Sequence, residues 1–411
     1  MAEPEIGKNG KIGTAAPAEG LIQGAIGRAE LFSLALSLCL GGVMLFGAAE
    51  KSALHEVWLL IPAAAVLGLV YPLLFRCWLE LFAGQSFAAS LQYALGRVFG
   101  RIVLFLYALF WLALTEVAAV YIVDFWAALG VDGTPLLLYS AIFLAVAAAF
   151  AGTGLVSLAR VALLVVVPAL LLVLGNLLLT VLGADLGNLL PLQAPKFGVD
   201  GEVGEFLLLA AGCALLVFGN LTTLLPALYH TEAAKSRVGV FGGALLSAAL
   251  VLLAAALSLT VVLGDTLPLY DFPILQAFRL AEVGHWFSRF EVIGAALLVM
   301  LGTLRAAALF SAAASVLCEL WGWDMQNYAD YAENNKRKWL LILGLAVLLM
   351  CGMPWSVQQF RGGFSALSDL LIGCIIGGMA IFSLVLPWLV IAFGAWRLWR
   401  EGRNIVIRHE E

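Results

Sequence analysis

Charge is what this sequence has least of. Asp, Glu, Lys and Arg together make up 12% of 411 residues, about half the share of an ordinary soluble domain. That scarcity leaves no second soluble domain, and no basic stripe of the kind that binds nucleic acid. Six cysteines (Cys39, Cys77, Cys213, Cys318, Cys351 and Cys374) are scattered with no C-x-x-C pair, which excludes a disulfide framework or a zinc knuckle as the organising feature. The four histidines lack metal-ligand spacing. No nucleophile triad, phosphate-binding loop or paired-carboxylate spacing is present, so neither an enzyme nor a cofactor or metal site is expected. The first 28 residues are polar, without the short apolar core of a cleaved signal peptide.

What is abundant is apolar length. Hydrophobic residues reach 63%, gathered into about ten runs of roughly 20 residues, the length that crosses a ~30 Å hydrocarbon layer as a helix. The ~10-residue alternation of a membrane β-barrel is missing. The fold class is therefore an all-α integral membrane protein. Its spans are expected near Ala29–Ala49, Val57–Phe75, Arg101–Trp126, Leu136–Ala151, Val161–Leu182, Phe206–Tyr229, Val238–Leu263, Glu291–Cys318, Trp339–Cys351 and Leu370–Trp396. Residues 1–28 and 400–411 then form polar tails around a membrane domain at 29–399.

Alternating the spans distributes the basic residues unevenly. One side receives Lys8, Lys11, Arg28, Arg76, Arg97, Arg101, Arg160, Lys235, Arg237, Lys336, Arg337, Lys338, Arg397, Arg400, Arg403 and Arg408. The other receives Lys51, Lys196, Arg279, Arg289 and Arg361. Sixteen against five, with Arg305 left in the membrane, places both termini in the cytoplasm by the positive-inside rule.

Ten helices with both ends inside permit two five-helix halves of opposite orientation. In such inverted repeats the first helix of each half is often broken near the midplane, where its free backbone groups bind a ligand. Helix 1 carries Gly41-Gly42 and helix 6 carries Phe218-Gly219-Asn220 at matching places. Glycine weakens a helix by about 1 kcal/mol, and Asn competes for backbone hydrogen bonds. The same glycines also suit plain close packing. Both readings stay open, with Gly41, Gly42, Phe218, Gly219 and Asn220 as candidate ligand-binding positions. Tyr121 and Thr303 can add hydroxyls, unless each bonds locally.

A basic side chain at the bilayer centre costs ~2.5 to 3.5 kcal/mol on insertion scales and requires a partner or a ligand. Arg305 falls near the middle of helix 8, and at 1.5 Å per residue Glu116 of helix 3 lies at similar depth. A buried charge pair between them is expected; direct ligand contact is the other reading. Asp124 sits nearer the outer end of helix 3. Residues Ile274 to Phe290 have apolar residues at helical spacing and are expected to lie over the bundle as an external amphipathic helix.

Several stretches carry a resemblance. They are Leu95-Gly96-Arg97-Val98-Phe99-Gly100-Arg101, Gly154-Leu155-Val156-Ser157-Leu158-Ala159-Arg160-Val161, Asn188-Leu189-Leu190-Pro191, Phe218-Gly219-Asn220-Leu221 with Leu225-Pro226, and Asp271-Phe272-Pro273 followed by Ala277-Phe278-Arg279-Leu280. Taken in order, they resemble the spore-germination permease family, the B subunits of nutrient germinant receptors, within the amino acid–polyamine–organocation superfamily. The resemblance implies a permease-like receptor subunit in the spore inner membrane. It would bind a small nutrient, an amino acid by default, beside a larger membrane subunit and a lipoprotein. The alternative is a secondary amino-acid transporter coupled to an ion gradient. One departure stands out: the family usually has a carboxylate where this chain has Asn220, and tends to have Lys at the position of Arg305.

Overall fold

The computed structural model describes residues 26–42, 57–82, 85–129, 135–183, 202–230, 237–270, 272–280, 290–323, 331–360 and 369–400. Among them every regular element is helical. The first half comprises α1 (Arg28–Gly42), α2 (Val57–Gly68), α3 (Val70–Leu81), α4 (Phe87–Leu95), α5 (Arg97–Ala128), α6 (Leu136–Thr153) and α7 (Leu155–Gly183). The second runs through α8 (Glu202–Phe218), a 3₁₀ segment (Gly219–His230), α9 (Arg237–Leu263), a short 3₁₀ turn (Gly264–Leu269), α10 (Pro273–Leu280), α11 (Phe290–Leu320) and α12 (Tyr331–Phe360). It closes with α13 (Asp369–Met379), a π-turn (Ala380–Val385) and α14 (Leu386–Arg400).

Among the described residues, seven helical stretches are long and apolar enough to cross a membrane, and Leu137–Thr153 is a shorter apolar helix. Their outward faces are bare hydrocarbon: Leu164 is 74% exposed and Leu208 75%. In water such surface would aggregate; against lipid it is the solvated face. This is an integral membrane protein built of helices.

The packing carries the inverted repeat. α1 packs on α9 as α8 packs on α2, which is one contact seen twice under exchange of the halves. α5 and α11, the third membrane helix of each half, form the most extensive interface in the bundle. α1 also lies against α7 and α11. The first helix of each half is thus enclosed by the others.

Several boundaries move. Helix 2 continues past Phe75 to Leu81, broken once at Leu69, and helix 3 begins at Arg97 rather than Arg101. Helix 5 begins at Leu155, directly after Gly154, whose φ of 89° ends α6 without strain. Helix 9 extends from Tyr331 to Phe360, because a helix does not stop where its side chains turn polar. Part of the expected amphipathic helix is observed as α10, Pro273–Leu280, and Phe290 opens α11; residues 281–289 of that expectation lie outside the described residues. So do the end of helix 1 (43–49), the Asn188–Pro191 stretch, both tails, Lys51, Lys196 and Arg361.

Candidate functional site at the helix 1 and helix 6 ends

α8 stops being an α-helix at Phe218 and continues as twelve residues of 3₁₀ geometry. Runs beyond three or four residues are uncommon and mark strain or a hinge. The local sequence explains the change. The Asn220 side-chain amide donates to Leu216 O at 2.6 Å and to Val217 O at 3.4 Å, taking carbonyls that the next turn would have used. The Thr222 and Thr223 hydroxyls donate to Gly219 O and Asn220 O, three residues back. Pro226 has no N–H to restore the α ladder. All three polar side chains are buried.

Glycine lets this end approach its neighbours. A Cβ on Gly42 would lie 2.9 Å from Val217 Cα and 3.0 Å from Leu216 O, so α1 and α8 meet backbone to backbone. A Cβ on Gly41 would lie 3.0 Å from Arg305 Cβ and 3.1 Å from Leu301 O of α11. At Gly219 it would meet Met379 Cε at 2.9 Å, and Ser383 Oγ and Tyr71 Oη at 3.0 Å. Phe218 is buried, its ring against Gly68 where helix 2 breaks. These four positions therefore come together at one crossing, and the glycines there serve close packing.

Arg305 completes the crossing. It is 1% exposed. Its Nη1 donates to Gly41 O at 3.1 Å, and its Nη2 to Asn220 Oδ1 at 3.2 Å, while Nε has no hydrogen-bond partner. The guanidinium thus bonds a backbone carbonyl of α1 directly and, through Asn220, the turn where α8 passes into 3₁₀ geometry. Both acceptors are neutral amide oxygens, one backbone and one side-chain, and no carboxylate takes part.

The expected Glu116–Arg305 pair does not form. Glu116 Oε1 accepts from Ser356 Oγ of α12 at 3.0 Å, beside Gly352, and Glu116 Oε2 is buried without a hydrogen-bond partner. Depth along a helix gives height but not direction; at 100° per residue, two charges in one layer can face different neighbours. Arg305 turns to α1 and the 3₁₀ segment, Glu116 to α12.

Two further candidates lie elsewhere. The Thr303 hydroxyl donates to Val299 O at 2.7 Å, within its own helix. Tyr121 meets Phe272 edge-on at 5.5 Å, as Phe125 does at 5.3 Å, in a cluster with Leu275 of α10. Tyr71, Tyr107 and Ser383 were not singled out from the sequence, yet they adjoin the break. Tyr71 Oη and Ser383 Oγ lie 3.0 Å apart, and Tyr107 Oη donates to Phe382 O at 2.9 Å. Pro387 was the available signal, since it cannot donate to Ser383 O and so disturbs the helix at that turn. No group of metal-ligating residues exists among the described residues.

A family model described as "Spore germination protein" matches residues 25–360. No individual curated protein matches the sequence. Among solved structures, the chain is similar to Mhp1, a nucleobase-cation-symport-1 family transporter, in a closed conformation with bromovinylhydantoin bound. The TM-score is 0.62 at 14% identity, covering 92% of this chain and 79% of that one. At that identity the likeness shows the fold, the inverted-repeat helical bundle.

Proposed function

This chain belongs to the spore germination protein family, and we propose that it is the membrane subunit of a nutrient germinant receptor. In this reading it binds a small nutrient at the paired helix ends and signals germination without coupling to an ion gradient. The observation that carries it is the Arg305 guanidinium on Gly41 O and Asn220 Oδ1. In inverted-repeat transporters the unwound carbonyls and half-helix C-terminal ends coordinate the coupling Na⁺ or H⁺. In this reading Arg305, a covalently fixed cation on two amide oxygens, stands in for the coupling ion and cannot run down a gradient.

The ligand is an amino acid by default, because free helix N-termini suit a carboxylate and unwound carbonyls suit an ammonium group. In this reading Gly41, Gly42, Phe218, Gly219 and Asn220, closely packed as they stand, are the positions a nutrient would have to part in order to bind. The charge distribution supports cytoplasmic termini, and the family supports a place in the spore inner membrane beside a larger membrane subunit and a lipoprotein.

An ion-coupled amino-acid transporter is the second reading, favoured by the likeness to a solved transporter. Uptake of labelled amino acids into proteoliposomes separates the two. The receptor reading expects no accumulation above protein-free vesicles under an inward Na⁺ or H⁺ gradient. Gradient-driven accumulation would overturn it in favour of transport.

A further inference from the structure

The last membrane helix contains a π-turn, Ala380–Val385, in which the Leu386 N–H bonds to Ile381 O five residues back. Such a turn is one extra residue inserted in an α-helix, and it is frequent at functional sites. Here it is fastened from outside. Tyr107 of α5 donates to Phe382 O at 2.9 Å. The Ser383 hydroxyl donates back to Met379 O and meets Tyr71 Oη of α3.

The turn touches the break on one side and, through Tyr107, reaches the short helix α4 on the other. Met379 Cε, Ser383 Oγ and Tyr71 Oη are the three atoms nearest to where a Gly219 Cβ would be, all at 2.9 to 3.0 Å. Added volume at Gly219 meets these three side-chain atoms first. On the other side, Tyr107 packs edge-on against Phe87 at 5.3 Å. Phe87 is the first residue of α4, a nine-residue helix on the Arg-rich side of the bundle.

Charges from two other helices hold α4 at both ends. Glu319 of α11 accepts from Ser86 Oγ at 3.0 Å and from Ala88 N at 3.2 Å at its N-terminus, and Arg397 of α14 donates to Tyr93 O at its C-terminus. Each charge opposes the local end of the helix dipole. Resolving the π-turn into an α-helix would turn α14 by about 100° and shift it by about 1.5 Å relative to α13. That movement would carry Arg397 off Tyr93 O.

We propose that the π-turn is the two-state element that links the conformation of the Gly219–Asn220 break to α4, making α4 the output helix of the receptor. The proposal rests on the receptor reading for its purpose, though not for its mechanics. A coupling pathway needs such a bistable element, biased from both ends, and not merely a chain of contacts.

Hydrogen–deuterium exchange of the purified full chain in nanodiscs tests it, with Gly219→Ala as the perturbation at the break. Backbone amides of residues 87–95 should exchange about tenfold faster, while residues 340–350 of α12, off this route, keep wild-type exchange. Ser383→Ala, which removes a hydroxyl and adds no volume, should loosen α4 in the same sense and serves if Gly219→Ala does not fold. Tyr107→Phe should loosen α4 alone and leave Gly219→Ala little further effect. Wild-type exchange at 87–95 in the folded Gly219→Ala or Ser383→Ala variant would overturn the coupling, as would simply additive effects with Tyr107→Phe. Ion-driven uptake in the proteoliposome assay would instead remove the receptor reading and leave the coupling standing.

Discussion

Arg305 Nη2 donates to Asn220 Oδ1 at 3.2 Å, while the same Asn220 donates its amide to Leu216 O. One asparagine thus relays the last carbonyls of α8 to a guanidinium that also bonds the Gly41 carbonyl of α1. A carboxylate at this position would add a full charge, but it could not donate to the helix carbonyls while ionised. Asn has both a donor and an acceptor, and both are used.

The pair should be energetically coupled. Arg305→Ala removes the bonds to Gly41 O and Asn220 Oδ1, and a loss of about 1 to 3 kcal/mol is expected. Arg305→Lys should be milder, since an ammonium can keep one of the two bonds. A double-mutant cycle with Asn220→Ala, read by thermal melting in detergent, should return a coupling above about 0.5 kcal/mol. The parallel cycle between Arg305 and Glu116 should be additive within that figure.

Crowding at the crossing gives a second expectation. Gly42→Ala and Gly219→Ala each place a methyl group within 3.0 Å of packed atoms, and overpacking of this kind costs about 1 to 3 kcal/mol. Gly175→Ala in α7 meets nothing within 4 Å. Its better helix propensity should raise stability by up to about 1 kcal/mol. Melting temperatures of the three variants should fall on opposite sides of wild type.

Glu116 should tolerate neutral replacement. Glu116→Gln keeps the acceptor that Ser356 Oγ uses and introduces no lost charge pair, so a change within about 1 kcal/mol is expected. Glu116→Ala removes that acceptor and the packed side chain, leaving the Ser356 hydroxyl to Gly352 O alone, and should cost more. A melt showing Glu116→Gln to be as damaging as Arg305→Ala would mean that the two charges act together after all.

The ion pair at the membrane edge should matter little. Arg160 Nε lies 3.4 Å from Glu30 Oε1, with the arginine side chain 62% exposed. Exposed pairs contribute at most about 1 kcal/mol, so Arg160→Ala should melt near wild type. Glu30 has a second task, accepting from Gly27 N ahead of α1. Glu30→Ala should therefore be the more costly of the two, by a margin of about 1 kcal/mol.

Particular residues show what could be read without coordinates. The membrane helices are legible because lipid demands long apolar runs, and the helix 6 break is legible because Gly219-Asn220 and Pro226 oppose an α ladder. Arg305 is legible as a residue that needs a partner. Its actual partner is not, because a backbone carbonyl at Gly41 leaves no mark in sequence, and depth says nothing of direction around the helix. Hydropathy also misses where α12 begins, since Lys336, Arg337 and Lys338 are charged yet helical. The π-turn left a trace in Pro387. Its fastening by Tyr107 and Tyr71 depends on helices far away in the chain.

The central claim is that Arg305 holds the place a coupling cation takes in ion-driven relatives of this fold. The most direct test is the melting temperature of purified wild-type protein in NaCl against choline chloride at matched ionic strength. A protein with its own cation in place should melt alike in both. With Arg305→Ala, the vacated carbonyls can accept Na⁺, and stabilisation should rise with Na⁺ concentration as ligand linkage requires. Saturable stabilisation of the wild type by Na⁺ over choline would show a free cation site and contradict the claim.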